Sequence, residues 1–422
     1  MRRRGSVRAV DGSAPDERVA ELAQPDRLRS ELDRAFGNLP SCDVVVGLHC
    51  DTRGTCVELG QRAASSAPLR ALIRVGCLAK LFTAMLARHE FDARRLAPDE
   101  QVSDLLAAGA ARRALRGISV RHLLEHTHGL DDSMLTAMPR DSRGLVDVER
   151  LALELRAVAP LAGPGELYSY GNAGAWVIAA ILERLRSRPY AMQLVETLLE
   201  PSGIGAVGSA ESICPSTGGE LALDAGDILN LVAQATFAAP NAWPDDARAG
   251  DYGFAIPLPG WNPLERGVYL GWKYHGAGWL GHQSVWPRQS VLLRAHPRRR
   301  LAVIAASTDH PAAVVAARVF GAYLPELFEL RVPARLNVDL GPPAGRFGSC
   351  AWRVDIRETD GGSELCARRF DTSDEWSAIL HAVTPGLWLT RPVLSMFPHV
   401  ELVEPDRAYL WNGRFVLPRA AS

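Results

Sequence analysis

Neither sign of charge prevails in this sequence. Its 422 residues carry 47 Lys and Arg against 48 Asp and Glu, a formal net charge of -1. Without a basic surplus to meet phosphates, nucleic-acid binding is excluded as the main task. Long apolar runs are missing as well. The longest candidate, Ala173 to Leu182, has a helical period and falls short of the roughly 18 residues that span a bilayer, so no membrane segment is expected. The seven cysteines form no CxxC pair and follow no regular spacing, which argues against a disulfide framework. Cys42 and Cys50 read as small buried hydrophobes in a strand-like stretch. Disorder is excluded by a composition 47% hydrophobic and 23% charged, ordinary for a globular chain. Internal repeats and low-complexity tracts are also lacking. Met1-Arg2-Arg3-Arg4 opens like a signal peptide, but Gly5 to Asp11 supply no apolar segment behind it. The expected localisation is cytoplasmic, behind a polar leader.

At roughly 150 residues per domain the length predicts two or three domains. Residues 16 to 36 read as an amphipathic helix interrupted at Pro25 and closed by Gly37 and Pro40. Asp43 to His49 and Thr55 to Leu59 alternate like strands around the turn Asp51-Thr52-Arg53-Gly54, which predicts a hairpin. Helical pattern runs from Cys77 to about Glu90 and again through 99–200. Strand signals return at 251–258, 267–274, 281–295 and 301–307, followed by a helix over Pro311 to Phe328. Strands at both ends with helices between predict an α/β (α+β) fold, a largely antiparallel sheet covered by helices. After Pro342-Pro343 the pattern turns to short strands around Asp360-Gly361-Gly362 and Asn412-Gly413, a separate small β domain. The expected organisation is a leader and helix over 1–36, a catalytic domain over 37–335 and a β domain over 345–418.

Cys77-Leu78-Ala79-Lys80 opens a helical stretch. Residues at i and i+3 share one helix face, so the thiol and the ammonium can meet. The helix amino terminus and a neighbouring cation both favour a thiolate over a thiol. Alone, the pair reads more readily as a buried helical cysteine followed by a surface lysine, because such pairs are common.

It stands in an ordered set. Ile118 to Leu130 contains His126-Thr127-His128-Gly129. Tyr170-Gly171-Asn172, Gly218-Gly219 and His275-Gly276-Ala277-Gly278 with Gly281 follow in turn. This series resembles the serine β-lactamase and penicillin-binding-protein superfamily, in its esterase and class C lactamase-like branch, over residues 40 to 330. The resemblance implies a β-lactamase-like sheet flanked by helices with an all-helical subdomain. It implies that Cys77 stands where the family has its nucleophilic serine and Lys80 where it has its lysine. Tyr170 and Asn172 match the Y-x-N pair, with Gly171 in place of the usual serine, and His275 opens the third motif, with Ala277 in place of a glycine. The backbone N–H groups of Cys77 and Gly278 would form the oxyanion hole. The segment around His126 and Gly129 would shape the loop beneath the site. Trp279 would line an apolar acyl or peptide pocket.

Three readings of the cysteine stay open: a pocket that has lost its chemistry, an engineered nucleophile, and a working cysteine enzyme. Lys80, Tyr170, Asn172 and His275 standing together favour the third. A thiolate takes acyl groups well, and its thioester yields readily to amines, which suits acyl transfer more than hydrolysis. Lys80 and Tyr170 would move protons, Asn172 would hold the lysine or a substrate amide, and His275 would bind a carboxylate or assist proton transfer. The resemblance extends to stand-alone thioesterases that cyclise nonribosomal peptides and join a lactamase-like to a lipocalin-like β domain. It implies a small-molecule or peptidyl thioester or ester as partner, carrier-protein-bound in that branch, and no cofactor. Ester, amide or β-lactam hydrolysis and noncatalytic binding are the alternatives. His122, His126 and His128 have helical spacing but no further ligand completes a metal set.

Overall fold

In the computed structural model the described residues are 17–37, 43–59, 72–106, 109–132, 135, 137–157, 160–205, 208, 212–243, 267–275, 278–286, 289–308, 312–328, 345–348, 352–359, 362–370, 374–384, 387–391, 399–403, 409–411 and 416–418. The strand expected over 251–258 and the boundary expected near 333–344 lie outside them. The chain divides into two compact units. One holds Met1–Ile73, Leu223–Arg248 and His275–Glu329, and the other Arg74–Ala222, Ala249–Tyr274 and Leu330–Ser422.

The first unit is built on an antiparallel sheet in the order Arg53–Leu59, Val44–Cys50, Leu301–Ser307, Gln289–His296, Leu280–Trp286. The expected hairpin is present and tighter than the sequence implied. Cys50 pairs directly with Arg53, with Asp51 at a φ of 54° in the turn, a left-handed conformation that Asp tolerates better than most residues. Val44–Cys50 and Leu301–Ser307 are buried at every position. Such continuous apolar strands are what a sheet covered on both faces requires. One face packs against Pro25–Phe36 and Ala312–Phe320, through Leu28, Leu32, Phe36, Val315, Val319 and Phe320. Towards the other face, a side chain at Gly47 would overlap Cys56 and Ile304 and press on Leu229 of the helix Ala225–Phe237. That helix is capped by Asp224, whose side chain accepts the Gly226 N–H at 2.8 Å.

The amino-terminal helix expected over 16–36 forms two helices, Glu17–Leu22 and Pro25–Phe36. Proline lacks an N–H and fits the first turn of a helix, so Pro25 starts a new one. Both helices share a hydrophobic core with the sheet. Leu28, Leu32 and Phe36 recur every four residues on the buried face. Leu32, with no exposed surface, sits mid-stripe. Leu32→Ala should therefore lower unfolding free energy by about 2–5 kcal/mol, the range for a deleted core leucine. Urea titration of the two proteins measures this directly, and a loss under about 0.5 kcal/mol would mean that the helix is not part of the core.

The second unit contains the helices Ala79–Asp92 and Ala173–Arg186, the hairpin Gly267–Tyr269 and Trp272–Tyr274, and a carboxy-terminal sheet. Both helices are buried on most sides, so neither shows a narrow apolar stripe. Glu90 ties them together, with Arg186 Nη2 at 2.7 Å and Arg95 Nε at 2.6 Å. Burial pushes the Glu90 carboxyl up, but hydrogen bonds from Arg95 and Arg186 outweigh it and hold it below the usual range.

The carboxy-terminal sheet has eight antiparallel strands in sequence order, and the first, Gly345–Gly348, lies beside the last, Val416–Pro418. An up-and-down sheet that curls back this way leaves little unpaired edge. Trp352, Val354 and Ile356 alternate inward, paired across the ladder with Arg369, Ala367 and Leu365, while Asp355 turns outward between Arg346 and Arg353. The expected antiparallel, helix-covered architecture with a further β module is what the chain adopts. Among the described residues no helix is long and apolar enough to cross a membrane.

Candidate active site

Cys77 lies in the 3-10 turn Gly76–Leu78 that leads into the helix Ala79–Asp92. Gly76 has a φ of 54°, a left-handed conformation that glycine adopts without strain. The turn breaks the approach of the chain and leaves Cys77 partly exposed while its neighbours Gly76 and Leu78 are buried. Exposure is what a nucleophile needs and a core cysteine lacks.

Lys80 is 4% exposed. Its Nζ donates to Asn172 Oδ1 at 2.9 Å and to the Ser216 carbonyl at 2.9 Å. It also stands 4.5 Å from the centre of the Tyr170 ring, within cation–π range. The structure thus brings Lys80, Tyr170 and Asn172 together, with Cys77 near enough to act electrostatically on Lys80. Burial pushes the Lys80 ammonium below its ordinary pKa. Cys77, Cys214 and Asp132 act to raise it, and Lys273 to lower it further. A lysine shifted this way surrenders its proton more readily near neutrality than one in solvent.

Tyr170 is enclosed by groups that carry or can carry positive charge. Besides Lys80, Lys273 Nζ lies 4.8 Å from its ring centre, and the His126 ring packs on it at 4.6 Å. Nearby positive charge eases ionisation of a phenol. The loop beneath is set by the His126 to Gly129 segment, as the motif implies. The Ser169 N–H donates to the His126 carbonyl at 2.8 Å and the Gly165 N–H to the Thr127 carbonyl at 2.7 Å. Gly129 has a φ of 73°, and a side chain there would overlap the Ala162 carbonyl. His122 closes a capping box with Ser119, a structural use of the first of the three clustered histidines.

Sequence reasoning missed four participants. Lys273, buried at 7% exposure, is a lysine among apolar strand neighbours; that oddity was its only signal. Ser216 supplies a carbonyl to Lys80, and its hydroxyl accepts from Trp176 Nε1 at 2.8 Å. Its loop is tied to the Lys80 helix by Thr83, whose hydroxyl donates to the Pro215 carbonyl at 2.8 Å. Cys214 is a second thiol there: burial pushes it up, but hydrogen bonds with Ser216 and Thr217 outweigh this and lower it. Asp132 receives the Asn172 and Ala173 N–H groups at 2.5 and 2.6 Å.

The third motif belongs to the first unit. His275 is 1% exposed, and its backbone N–H donates to the Trp279 carbonyl at 2.8 Å. In the turn between them Gly278 takes a φ of 81°, and a side chain there would press on His296. Among the described residues Trp279 packs inward. The residue is 1% exposed and packs in the hydrophobic core with Leu292, Leu301 and Phe320, its ring T-shaped to that of His296 at 5.3 Å. A large apolar ring following a tight turn gains more from the core than from a wet cleft.

Solved structures share this fold. SurE, crystallised with D-Leu, is 20% identical with a TM-score of 0.71, covering 94% of this chain and 99% of that one. The octameric penicillin-binding protein homologue from Pyrococcus abyssi is 15% identical with a TM-score of 0.53, covering 93% and 99%. The D-amino acid amidase from Ochrobactrum anthropi SV3, in complex with L-phenylalanine, is 15% identical with a TM-score of 0.54, covering 71% and 98%. No curated protein matches the chain. The Beta-lactamase family model matches residues 58–323, more than half of the length and spanning Cys77, Lys80, Tyr170, Asn172 and His275. The chain belongs to the Beta-lactamase family, within the serine β-lactamase and penicillin-binding-protein-like superfamily.

Proposed function

We propose that this chain is a cysteine acyltransferase. The Cys77 thiolate attacks the carbonyl of an activated acyl or peptidyl thioester or ester and expels the donor's thiol or alcohol. The resulting thioester is attacked by an amine, which forms an amide and returns the thiolate. Lys80 and Tyr170 take the proton from the incoming amine and deliver one to the departing group. Asn172 fixes the Lys80 ammonium through its Oδ1. By motif order alone, His275 and the backbone N–H of Gly278 take the roles the family resemblance implies. The observation that carries this reading is the buried Lys80 ammonium, held by Asn172 against the Tyr170 ring beside a partly exposed thiol.

A thioester reacts with amines in preference to water more strongly than an oxygen ester does, which favours transfer, cyclisation included, over hydrolysis. The reading places the enzyme in the cytoplasm, taking free or carrier-bound donors in natural-product assembly. Hydrolysis is the second reading, favoured by the amidase among the structural neighbours. That neighbour, by its name, and the D-Leu complex of SurE favour an acyl donor with a D-configured residue at the reacting carbonyl.

Incubation with matched D- and L-terminated peptidyl thioesters should add one acyl mass to Cys77, faster with the D form. Added amine should convert the adduct to amide. Free acid as sole product, at a rate that does not depend on amine, would establish the hydrolase instead. No adduct with any thioester, alongside turnover of simple esters, would remove both the cysteine and the transfer.

A further inference from the structure

We propose that Asp132 is a positioning residue of this site, taking the place of the middle side chain of the Y-x-N motif and setting the charge balance around Lys80. The inference rests on the reading of Cys77 and Lys80 as the reacting pair. Gly171 is one of the places where this chain departs from the family pattern, and the structure offers a reason. A side chain at Gly171 would overlap both carboxylate oxygens of Asp132, so the two cannot coexist. The carboxylate uses the space. One of its oxygens accepts the N–H groups of both Asn172 and Ala173, the first donors of the helix Ala173–Arg186, which otherwise lack partners. These bonds fix the backbone on which Asn172 presents Oδ1 to Lys80. Asp132 is itself placed by the loop through Gly129, whose carbonyl accepts the Leu161 N–H at 2.8 Å.

The charge acts beside the bonds: burial and the adjacent Asp131 push the Asp132 carboxyl up, while the Ala173 and Asn172 N–H groups and Lys80 favour the carboxylate. Lys80 is faced by Cys77 from its own turn, Cys214 and Ser216 from one loop, Tyr170 and Asn172 from another, and Lys273 from the hairpin. Among these Asp132 supplies the carboxylate. Removing a negative charge from beside groups that must lose a proton makes the loss easier, so the acidic limb of their reaction should move to lower pH.

Two variants separate charge from shape. Asp132→Asn keeps an oxygen acceptor for Asn172 and Ala173 and removes the charge. Asp132→Ala removes both. Cys77 alkylation by iodoacetamide, followed by peptide mass spectrometry across pH, reads the charge without any acyl donor. Its acidic limb should move to lower pH in Asp132→Asn. Cys77 acylation by a peptidyl thioester reads the positioning: Asp132→Ala should slow it by about 10–100-fold, the scale of a displaced catalytic group. Gly171→Ser should be harmful alone, because it collides with Asp132. In Asp132→Ala it should restore about tenfold, because the serine refills the vacated space, a coupling that only neighbours show. An unmoved limb in Asp132→Asn, wild-type acylation in Asp132→Ala, or no rescue by Gly171→Ser would each overturn the proposal. If no donor acylates the wild-type protein, the acyltransferase reading fails, while the alkylation arm still decides the role of Asp132.

Discussion

Cys77→Ala should abolish the acyl-enzyme and lower kcat/KM by about 10⁴-fold, because the covalent route disappears while binding and electrostatic stabilisation persist. The fold should survive, since Cys77 is partly exposed and the adjoining turn is held by Gly76 and by the buried Leu78. Cys77→Ser is the sharper test. A serine hydroxyl is a weak nucleophile until a neighbouring base takes its proton, and Lys80 is placed to do so. The serine variant should therefore form an ester and turn over, with its product ratio moved from amide towards free acid. Partitioning between amine and water, read by chromatography of the products, checks this. A serine variant more active than the parent at every donor would mark the cysteine as an engineered replacement. Unchanged biological output in Cys77→Ala would mark a binding protein.

Much of this site was legible because its chemistry is written in short motifs. Cys77 and Lys80 sit three residues apart on one turn, and Tyr170 and Asn172 open a helix that Asp132 caps. Helix–sheet–helix layering was legible from the unbroken apolar strands near 44–50 and 301–307. What stayed hidden depends on contacts across the chain. Lys273 meets Tyr170 only because a hairpin folds over it, and Ser216 meets Lys80 through a backbone carbonyl, which no side-chain pattern encodes. Asp132 lay within the motif region, but its purpose shows only when Gly171 is found beside it. Trp279 reads from the sequence as a substrate wall because glycines lie on either side, while its apolar ring packs in the core cluster.

These hidden contacts give the site its electrostatic character. Two buried lysines, Lys80 and Lys273, stand near one phenol, and the Asp132 carboxylate acts on Lys80. Charges removed from water are expensive to keep and therefore shift their proton affinity. Burial holds Lys80 below an ordinary lysine and Lys273 lowers it further, so the neutral amine is reached at lower pH than for a lysine in solvent. Transfer that depends on neutral Lys80 should rise with pH along that limb and fall as acid protonates the amine.

Lys80→Met and Lys80→Arg test that dependence from two sides. Met has similar length and no proton to exchange, so amide formation should fall by about 10²–10⁴-fold, the usual worth of a positioned acid–base group. The pH limb assigned to Lys80 should vanish. Arg reaches the same acceptors but keeps its proton at any working pH. It should thus fail nearly as badly as Met, even with Asn172 and Ser216 still bonded. A merely structural lysine predicts the reverse, with Arg close to wild type and Met unfolded. Stability separates the cases further. Lys80→Met strips a charged donor from Asn172 Oδ1 and the Ser216 carbonyl, a loss of about 1.5–3 kcal/mol each. It also removes a buried charge whose desolvation costs several kcal/mol. The two nearly cancel, so the inactive Met variant should melt close to the parent, and a folded, inert protein is the signature of a proton carrier removed from an intact site.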